Sequence, residues 1–545
     1  MARVEVARGG RSEAMARLPP WTWDIPEYFN IGAACTDAHL GGPIETRLAV
    51  ICEDAVSGTR QATFGELARS TSRFGQLLRD LDIAAGARVL IRLPNCLEYS
   101  TVFLGALKRG AIPVPTSILL TADEVLFLAR DSGASALVTT RAAWNEMHAA
   151  LEALDALTHV LLIGAGSCAP ARRVQLVDLA DALAALSRWE PPHATRADDP
   201  AYLVYTSGTT GYPKGALHAH RALLGHLPAT QYWFDFQSAD DRVLHSGKYN
   251  WTYVLGTGLM DPLLRGTTTI VYEGPTDAST WPRLIARHRA TIFIGVPTLY
   301  RQILQKTAYG GRDVPTLRHC MSAGESLSGE VLTAWRDRFG QAIYEGLGMT
   351  ECSYYISQPR HRPLRPGSPG FPQPGHAVKL LDPETLREVP VGEEGMLCIP
   401  RTDPGLLLRY WNRPEETAAV FHGDWFLTGD YARLDADGYL WFLGRRDDLI
   451  NTFGYRVSPH EVERVLKDHP AVADCAAVGE EVAAAKVVVA AYVVPRPGNA
   501  LSGDELIAYA RHHLASYKAP RVVHLVDDLP RTRNGKVLRR ALRPG

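Results

Sequence analysis

No apolar run in this sequence approaches the ~18–20 residues that cross a bilayer as a helix, so no membrane span is expected. Nor does charge of one sign prevail. Lys and Arg number 58 against 59 Asp and Glu, a net −1 at pH 7. That balance argues against a nucleic-acid or membrane-surface partner, so any basic site must be local. Paired cysteines are missing too. The eight thiols are scattered from Cys35 to Cys475 without C-x-x-C spacing, and no Cys/His spacing suggests zinc. His218 and His220 share a strand face and His512 and His513 are merely adjacent, and neither pair is expected to hold a metal. Reduced, mostly buried thiols fit a cytoplasmic protein. The N-terminus lacks the continuous apolar segment of a secretory signal. Its Arg3, Arg8, Arg11 and Arg17 are interrupted by Glu5 and Glu13, and Met15 offers an alternative to Met1 as the start, so residues 1–22 read as a loose tail.

What is present is globular. The chain is 46% apolar and 21% charged, and its 545 residues are too many for one ordinary core, so at least two domains are expected. From about Thr46 to Thr140 helix and strand patterns alternate: helix over Phe64–Leu81, strand over Arg88–Leu93, helix over Tyr99–Arg109, strands over Ile112–Val114 and Ala134–Thr139. Such alternation implies a parallel sheet covered on both faces. The rhythm returns in strands at Val243–Leu244, Thr268–Val271 and Ile292–Gly295, with a helix at Trp281–Arg289. A Pro-, Gly- and Arg-rich loop, Ser357–Pro374, leads into short strands at Val378–Leu381, Gly395–Ile399, Trp425–Phe426 and Tyr439–Leu443, a β-rich subdomain. A compact α/β tail follows, with helices Pro459–Leu466 and Gly503–Leu514 and the strand Val487–Val494, so the domain boundary is set near Asp447.

Four segments carry chemistry. The run Tyr205-Thr206-Ser207-Gly208-Thr209-Thr210-Gly211-Tyr212-Pro213-Lys214-Gly215 follows the strand-like Ala201–Val204. Its glycines let backbone approach a ligand closely, its hydroxyls and free N–H groups suit phosphate oxygens, and Lys214 adds a positive charge. Because Gly215 and not Ser or Thr follows Lys214, the order differs from that of a P-loop. In Tyr344-Glu345-Gly346-Leu347-Gly348-Met349-Thr350-Glu351, a hydroxyl stands beside a carboxylate, a hard-oxygen pair suited to Mg²⁺ on a nucleotide. Asp430, in Thr428-Gly429-Asp430 after a strand, can accept two hydrogen bonds from a ribose diol. In Pro530-Arg531-Thr532-Arg533-Asn534-Gly535-Lys536, an Asn-Gly turn presents Lys536 on an exposed loop.

Taken in order, these segments resemble the acyl-adenylate-forming superfamily, which contains acyl-CoA synthetases, nonribosomal adenylation domains and luciferases. The resemblance runs from about Trp23 to Arg540, and residues 206–215 and 444–463 carry it most specifically. Ile25-Pro26-Glu27-Tyr28-Phe29-Asn30 is similar to medium-chain acyl-CoA synthetases. Ser246–Leu259 and Ser322-Ala323-Gly324-Glu325-Ser326-Leu327 are similar both to these and to benzoate–CoA ligases.

The resemblance implies a fold, an activity and a site. The fold is α/β: an ATP- and acid-binding domain over residues 23–446, with parallel-rich sheets, helices and the β-rich subdomain, and a small mobile α/β domain over 447–545. The activity is that of an AMP-forming acid–CoA ligase using ATP, Mg²⁺ and coenzyme A on a small to medium or aromatic acid. An enzyme loading a separate carrier-protein thiol is the alternative. Thr206, Ser207, Gly208, Thr209, Thr210 and Lys214 are expected at the β- and γ-phosphates, Thr350 at the α-phosphate, and Glu351 at Mg²⁺. Gly324, Glu325 and Ser326 are expected at adenine, and Asp430 and Arg445 at ribose. Lys536 would bridge the acid carboxylate and the α-phosphate. Asp447 matches the hinge, and Gly454, Tyr455 and Arg456 would face CoA after domain rotation. The acid pocket is expected among Tyr249, Trp251, Thr252, Tyr253, Gly295, Leu347 and Gly348. Gly348 stands where acetate enzymes carry a wall-forming Trp, so the pocket should be longer than acetate needs. Trp251 stands where benzoate ligases carry a smaller aromatic, and narrows it again. No cation lines this pocket, which disfavours a second carboxylate on the acid. In related bacterial ligases a protein acetyltransferase acts on the lysine matched by Lys536. The resemblance admits a monomer or a homodimer.

Overall fold

The computed structural model describes residues 20–542, apart from 189–190, 207–212, 325–326, 446–447, 449, 453–454, 484–485, 499–500, 515–517 and 532–536. Two sheets with parallel cores organise the larger part of the molecule. The first has five parallel strands in the order Ile112–Pro115, Arg88–Arg92, Ala136–Thr140, His159–Ile163 and Gln175–Asp178. The crossover helix Leu97–Lys108 is buried at every position from Tyr99 to Lys108, as its nearly unbroken apolar run requires. The helix Phe64–Asp80 starts on a capping box. Thr63 Oγ1 accepts from the Glu66 N–H while the Glu66 carboxylate accepts from the Thr63 N–H, so two orphan donors of the first turn are satisfied.

The second sheet has nine strands. Its parallel centre runs Ile343–Met349, His319–Ala323, Ile292–Gly295, Arg242–His245, Thr268–Glu273 and Leu48–Asp54. Antiparallel strands flank it, Ser353–Ser357 and Phe371–Pro372 on one edge and Gly58–Thr63 on the other. The carboxyl ends of the central strands, His245, Gly295, Ser322–Ala323 and Glu345–Gly346, therefore lie along one rim. In open α/β sheets, ligands bind outside that rim.

A third element completes the larger part. Pro200–Thr206 and Lys214–Ala219 pair antiparallel, and Arg409–Tyr410 adds to Lys214–Ala219. The β-rich subdomain is an antiparallel sheet of Lys379–Leu381, Glu394–Pro400, Trp425–Leu434, Phe421–His422 and Leu440–Arg445. Beyond it, Val472–Ala483, Lys486–Pro495 and Val522–Leu525 form a separate sheet. Val462, Leu466, Leu506 and Ala510, from the helices Pro459–Lys467 and Gly503–His513, share its own apolar core.

One expectation changes. The tail is shorter than residues 1–22, because Trp21 packs edge-on against Trp23 and Tyr232. The Tyr344–Glu351 motif lies mostly in a strand. Ile343–Met349 is strand throughout, pairing with Ser353–Ser357 in a tight hairpin.

Candidate active site

Thr206 and Lys214 face each other across the antiparallel pair that opens the phosphate-loop segment. Ser207, Gly208, Thr209 and Thr210 lie outside the described residues. The Lys214 ammonium is ion-paired with Glu416, on the helix Pro414–Val420, and stands 5.6 Å from the centre of the Tyr410 ring.

Tyr410 also reaches the second motif. Its hydroxyl donates to Glu351 Oε1 at 2.7 Å, deep enough that burial and the adjacent carboxylate push the phenol pKa upward. Two further bonds hold this dipeptide. The Leu407 N–H donates to the Glu351 carbonyl at 2.7 Å, and His218 Nε2 lies 2.8 Å from the Thr350 carbonyl. Burial pulls the His218 pKa down to about 3. The ring is therefore neutral and stacked on Tyr202, and Nε2–H is the donor. His220 makes a different contact, accepting from the Ile31 N–H at 3.1 Å. The two histidines thus act as separate struts. Behind Glu351, His376 Nδ1 lies 2.6 Å from Asp403, which also accepts from Gly405 N–H and, over 3.9 Å, from the Cys352 thiol.

Asp430 and Arg445 are register partners on neighbouring strands and form an ion pair at 3.3 Å. Asp430 raises the Arg445 pKa above its ordinary value, and Glu351 adds to the effect against the cost of burial. Lys214, Tyr410, Glu351, Arg445 and Asp430 thus share one electrostatic site. On the strand rim, the buried Glu345 carboxyl accepts from the Leu327 N–H at 3.1 Å, and burial pushes its pKa up to about 8. Gly324 takes φ +89°, where a side chain is strained, and Trp251 lies 3.4 Å from the position of its missing Cβ. Glu325 and Ser326 lie outside the described residues.

The structure divides the expected acid pocket. Trp251 and Tyr253 meet edge-to-face at 5.2 Å, and Tyr253 stacks at 6.3 Å on Trp233, whose ring fills the space beside Gly346. Thr252 begins the short helix Thr252–Leu255 that carries Tyr253. Gly295 ends its strand on the rim, and Leu347 pairs with Ile356 across the hairpin. Tyr249 is a correction. It is fully buried in the main core, 5.0 Å from Tyr99, with its N–H on Asn95. Gly348 is a second correction. A Cβ there would stand 2.1 Å from the Ser353 carbonyl oxygen, so the glycine serves the close hairpin and its missing side chain does not lengthen a pocket.

Lys536, Asp447 and Gly454 lie outside the described residues, and Tyr455 and Arg456 are described by backbone alone, in the strand Tyr455–Val457. The segment around Lys536 is tied on both sides. Arg531 is ion-paired with Asp474, Leu538 N–H donates to the Pro530 carbonyl at 2.7 Å, and Arg539 makes a forked bond to the buried Glu463. Tyr410, His218 and Trp233 belong to these networks yet were not anticipated. For Tyr410, the dense aromatic and charged run Tyr410-Trp411-Asn412-Arg413-Pro414-Glu415-Glu416 was the available signal.

The pattern of the AMP-binding enzyme family matches residues 45–411, and that of the AMP-binding enzyme C-terminal domain matches residues 461–536. The chain belongs to the AMP-binding enzyme family. A benzoate–CoA ligase of Thauera aromatica is 36% identical over 95% of this chain and 96% of its own. An anthranilate CoA ligase, solved in complex with anthranoyl-AMP, superposes with a TM-score of 0.85 at 30% identity, over 95% of this chain and 97% of its own. A benzoate CoA ligase from Burkholderia xenovorans LB400 gives 0.83 at 31%, over 95% and 100%. The four chemistry-bearing segments of this AMP-binding enzyme fall within the matched spans or between them. No helix among the described residues is long and apolar enough to cross a membrane.

Proposed function

We propose that this AMP-binding enzyme is an acid–CoA ligase that joins a small to medium or aromatic carboxylic acid to ATP as an acyl-adenylate and then passes the acyl group to coenzyme A. One observation carries the reading: Lys214, Tyr410, Glu351, Arg445 and Asp430 converge beside the carboxyl rim of a mostly parallel sheet. In the first step a carboxylate oxygen attacks the α-phosphorus and pyrophosphate leaves. In the second the CoA sulfur attacks the acyl carbon, its proton is lost and AMP leaves.

The chemical difficulty is that two anions must meet, so catalysis is mainly positioning and charge neutralisation. Lys214 exchanges Glu416 for phosphate oxygens, assisted by Thr206, Ser207, Gly208, Thr209 and Thr210. The pinned Thr350 hydroxyl meets the α-phosphate. Asp430 accepts from the ribose diol with Arg445 beside it, and Gly324, Glu325 and Ser326 border adenine. The residues fit Mg²⁺, since Glu351 is a buried hard-oxygen donor with only Oε1 engaged by Tyr410. The ion, arriving with ATP, would supply neutralisation of phosphate charge. Lys536 bridges the two reacting anions from the small domain, and a compact ammonium suits that task. Rotation about Asp447 then withdraws it and brings Gly454, Tyr455 and Arg456 to CoA. Acetylation of Lys536 by a protein acetyltransferase would remove the charge that adenylation needs.

The names of the relatives support an aromatic acid. Pyrophosphate release over a panel of acids tests the first step, and CoA-dependent AMP release tests the second. Release of AMP with a carrier protein but not with CoA would overturn the thiol assignment.

A further inference from the structure

The ion pair between Lys214 and Glu416 raises a question of charge. A lysine that is to hold phosphate oxygens must first leave its carboxylate. That carboxylate then stands as one anion beside another. Like charges so close repel, so Glu416 needs a second cation within reach.

The structure supplies one. Glu416 lies in the first turn of the helix Pro414–Val420. Its Oε2 pairs with Lys214, and its Oε1 faces Arg413 Nε at 3.7 Å, three residues earlier. The first contact is closed. The second is longer than a hydrogen bond, and a turn of the carboxylate closes it. The Lys214, Arg413 and Glu416 side chains are 21%, 28% and 36% exposed, so an incoming anion can reach them while water screens them only in part.

Arg413 is itself fixed. Its Nη2 donates to Asp131 Oδ1 at 2.9 Å and its Nη1 to the Asn412 carbonyl at 3.1 Å. Asp131, near the end of the helix Ala122–Ser132, is held in turn. Its Oδ2 accepts from the Tyr205 hydroxyl at 2.7 Å, and its carbonyl accepts from Trp411 Nε1 at 3.0 Å and Asn412 Nδ2 at 2.9 Å. Asp131, Arg413, Glu416 and Lys214 thus form a row of alternating charges, anchored at Asp131. The row also joins the two ends of the phosphate-loop segment, since Tyr205 directly precedes Thr206 and Lys214 closes the segment.

We infer that Glu416 is a resident counter-anion that competes with the phosphates of ATP for Lys214, and that Arg413 receives Glu416 when those phosphates arrive. The inference rests on the ligase reading above and adds the two residues that set how tightly polyphosphate is held. Both act through Lys214, as positioning residues. Binding trades the Glu416–Lys214 pair for a closed Glu416–Arg413 pair, and no covalent bond changes. The exchange reverses as pyrophosphate leaves, so the returning carboxylate helps to displace it and Lys214 is not left bare between turnovers.

Isothermal titration calorimetry on the full-length enzyme tests this, with ATP, tripolyphosphate and AMP as ligands in Mg²⁺ buffer. The proteins are the wild type, Glu416→Gln, Arg413→Gln, the double variant and Glu415→Gln. Glu416→Gln should bind ATP and tripolyphosphate about two- to fivefold more tightly, the range of a partly exposed ion pair. Arg413→Gln should bind both more weakly by a similar factor, because Glu416 then has Lys214 alone. In the double variant most of that loss should vanish, since no carboxylate remains for Arg413 to receive. Glu415→Gln removes the same charge one residue away, on an exposed side chain, and should leave every Kd unchanged. AMP, which lacks the β- and γ-phosphates, should bind alike to all five proteins, whereas a general loosening of the fold would weaken it too. If Arg413→Gln fails to fold, Glu416→Gln against Glu415→Gln decides. Glu416→Gln binding ATP no tighter than the wild type, a tightening matched by Glu415→Gln, an Arg413→Gln loss that persists in full in the double variant, or AMP shifting in step with ATP would overturn the inference and leave the ligase reading standing. A wild-type enzyme that binds neither ATP nor AMP would overturn the ligase reading, and this inference with it.

Discussion

Single side chains set how rigid the site is. Tyr410 holds Glu351 through one 2.7 Å hydrogen bond and places its ring beside Lys214, so one residue links the phosphate-loop lysine to the carboxylate. Tyr410→Phe keeps the ring but leaves a buried Glu351 oxygen without its donor, a loss of about 1–3 kcal/mol. The Mg²⁺ concentration for half-maximal adenylation should rise by about tenfold, with the acid KM unchanged. Mn²⁺ binding, followed by electron paramagnetic resonance, should weaken in parallel. Unaltered metal dependence would show that the contact is only structural. Gly348 carries the opposite lesson. A Cβ there meets backbone, at 2.1 Å from the Ser353 carbonyl oxygen and 2.8 Å from Tyr354 Cα, and backbone cannot rotate away. Gly348→Ala should therefore lower the melting temperature by several degrees, and Gly348→Trp should fail to fold or lose activity on every acid. A folded Gly348→Trp enzyme that prefers acetate would refute this account of the hairpin.

At the level of strands and helices, Glu345 couples the rim to pH. It stands on Ile343–Met349 and accepts from the Leu327 N–H, just beyond Gly324, with its pKa pushed up to about 8 by burial. An ordinary glutamate, as in the unfolded chain, titrates near 4.5. Below that value the carboxyl is protonated in both states and its contribution to folding is intact. As pH rises from about 4.5 toward 8 the unfolded chain ionises while the folded chain holds its proton, and stability falls by about 1.4 kcal/mol per pH unit. Glu345→Gln keeps an oxygen acceptor and removes the titration. The variant should therefore gain in melting temperature over the wild type progressively between pH 5 and pH 8. Parallel curves for the two proteins would reject it.

The same elements show what could be read from sequence. Helices with strong apolar faces and caps, such as Phe64–Asp80 and Pro459–Lys467, lie within a residue of their expected ends, because local pattern decides them. The order of the nine-stranded sheet was not legible. Leu48–Asp54 pairs with Thr268–Glu273, more than two hundred residues away, and nothing local encodes that partner. Ile343–Met349 is a strand in spite of its two glycines, and Ser353–Ser357 folds back on it so closely that glycine is required at position 348. Tyr249 and Tyr253 look alike in sequence, yet one packs on Tyr99 in the core and the other on Trp233 at the rim. His226 and Tyr354 stand far apart in the chain and become neighbours only through the fold.

At the scale of the whole molecule, the two parts meet where the helix Pro459–Lys467 lies on the strand Leu440–Arg445: the Ser458 hydroxyl donates to the Leu443 carbonyl and the His460 ring stands 5.2 Å from Phe442. Arg496 reaches Glu330 at 3.0 Å, with 30% and 55% of the two side chains exposed. Arg464 lies 5.6 Å from the centre of the Trp441 ring and beside Gly367. An exposed ion pair such as Arg496–Glu330 contributes about 0–1 kcal/mol, so that contact adds little to the seam. The connection between them runs from Arg445, fixed to Asp430 in the sheet, to Asp448, whose N–H bonds to the Arg445 carbonyl at 3.0 Å. Asp447 lies between these two points, so a large change in φ and ψ there would turn the small domain as a body. Asp447→Pro fixes φ and removes an N–H, and should lock one orientation. Adenylation, followed by pyrophosphate release, should then survive within about tenfold, while thioester formation from supplied acyl-AMP falls by about a hundredfold or more. Lys536→Ala should give the mirror image, because in the proposed mechanism its charge is needed only while carboxylate and phosphate meet. Adenylation should fall by about 10²–10³-fold and thioester formation should be spared. Equal losses in both half-reactions for Asp447→Pro would move the hinge elsewhere, and near-normal adenylation by Lys536→Ala would remove that lysine from the chemistry.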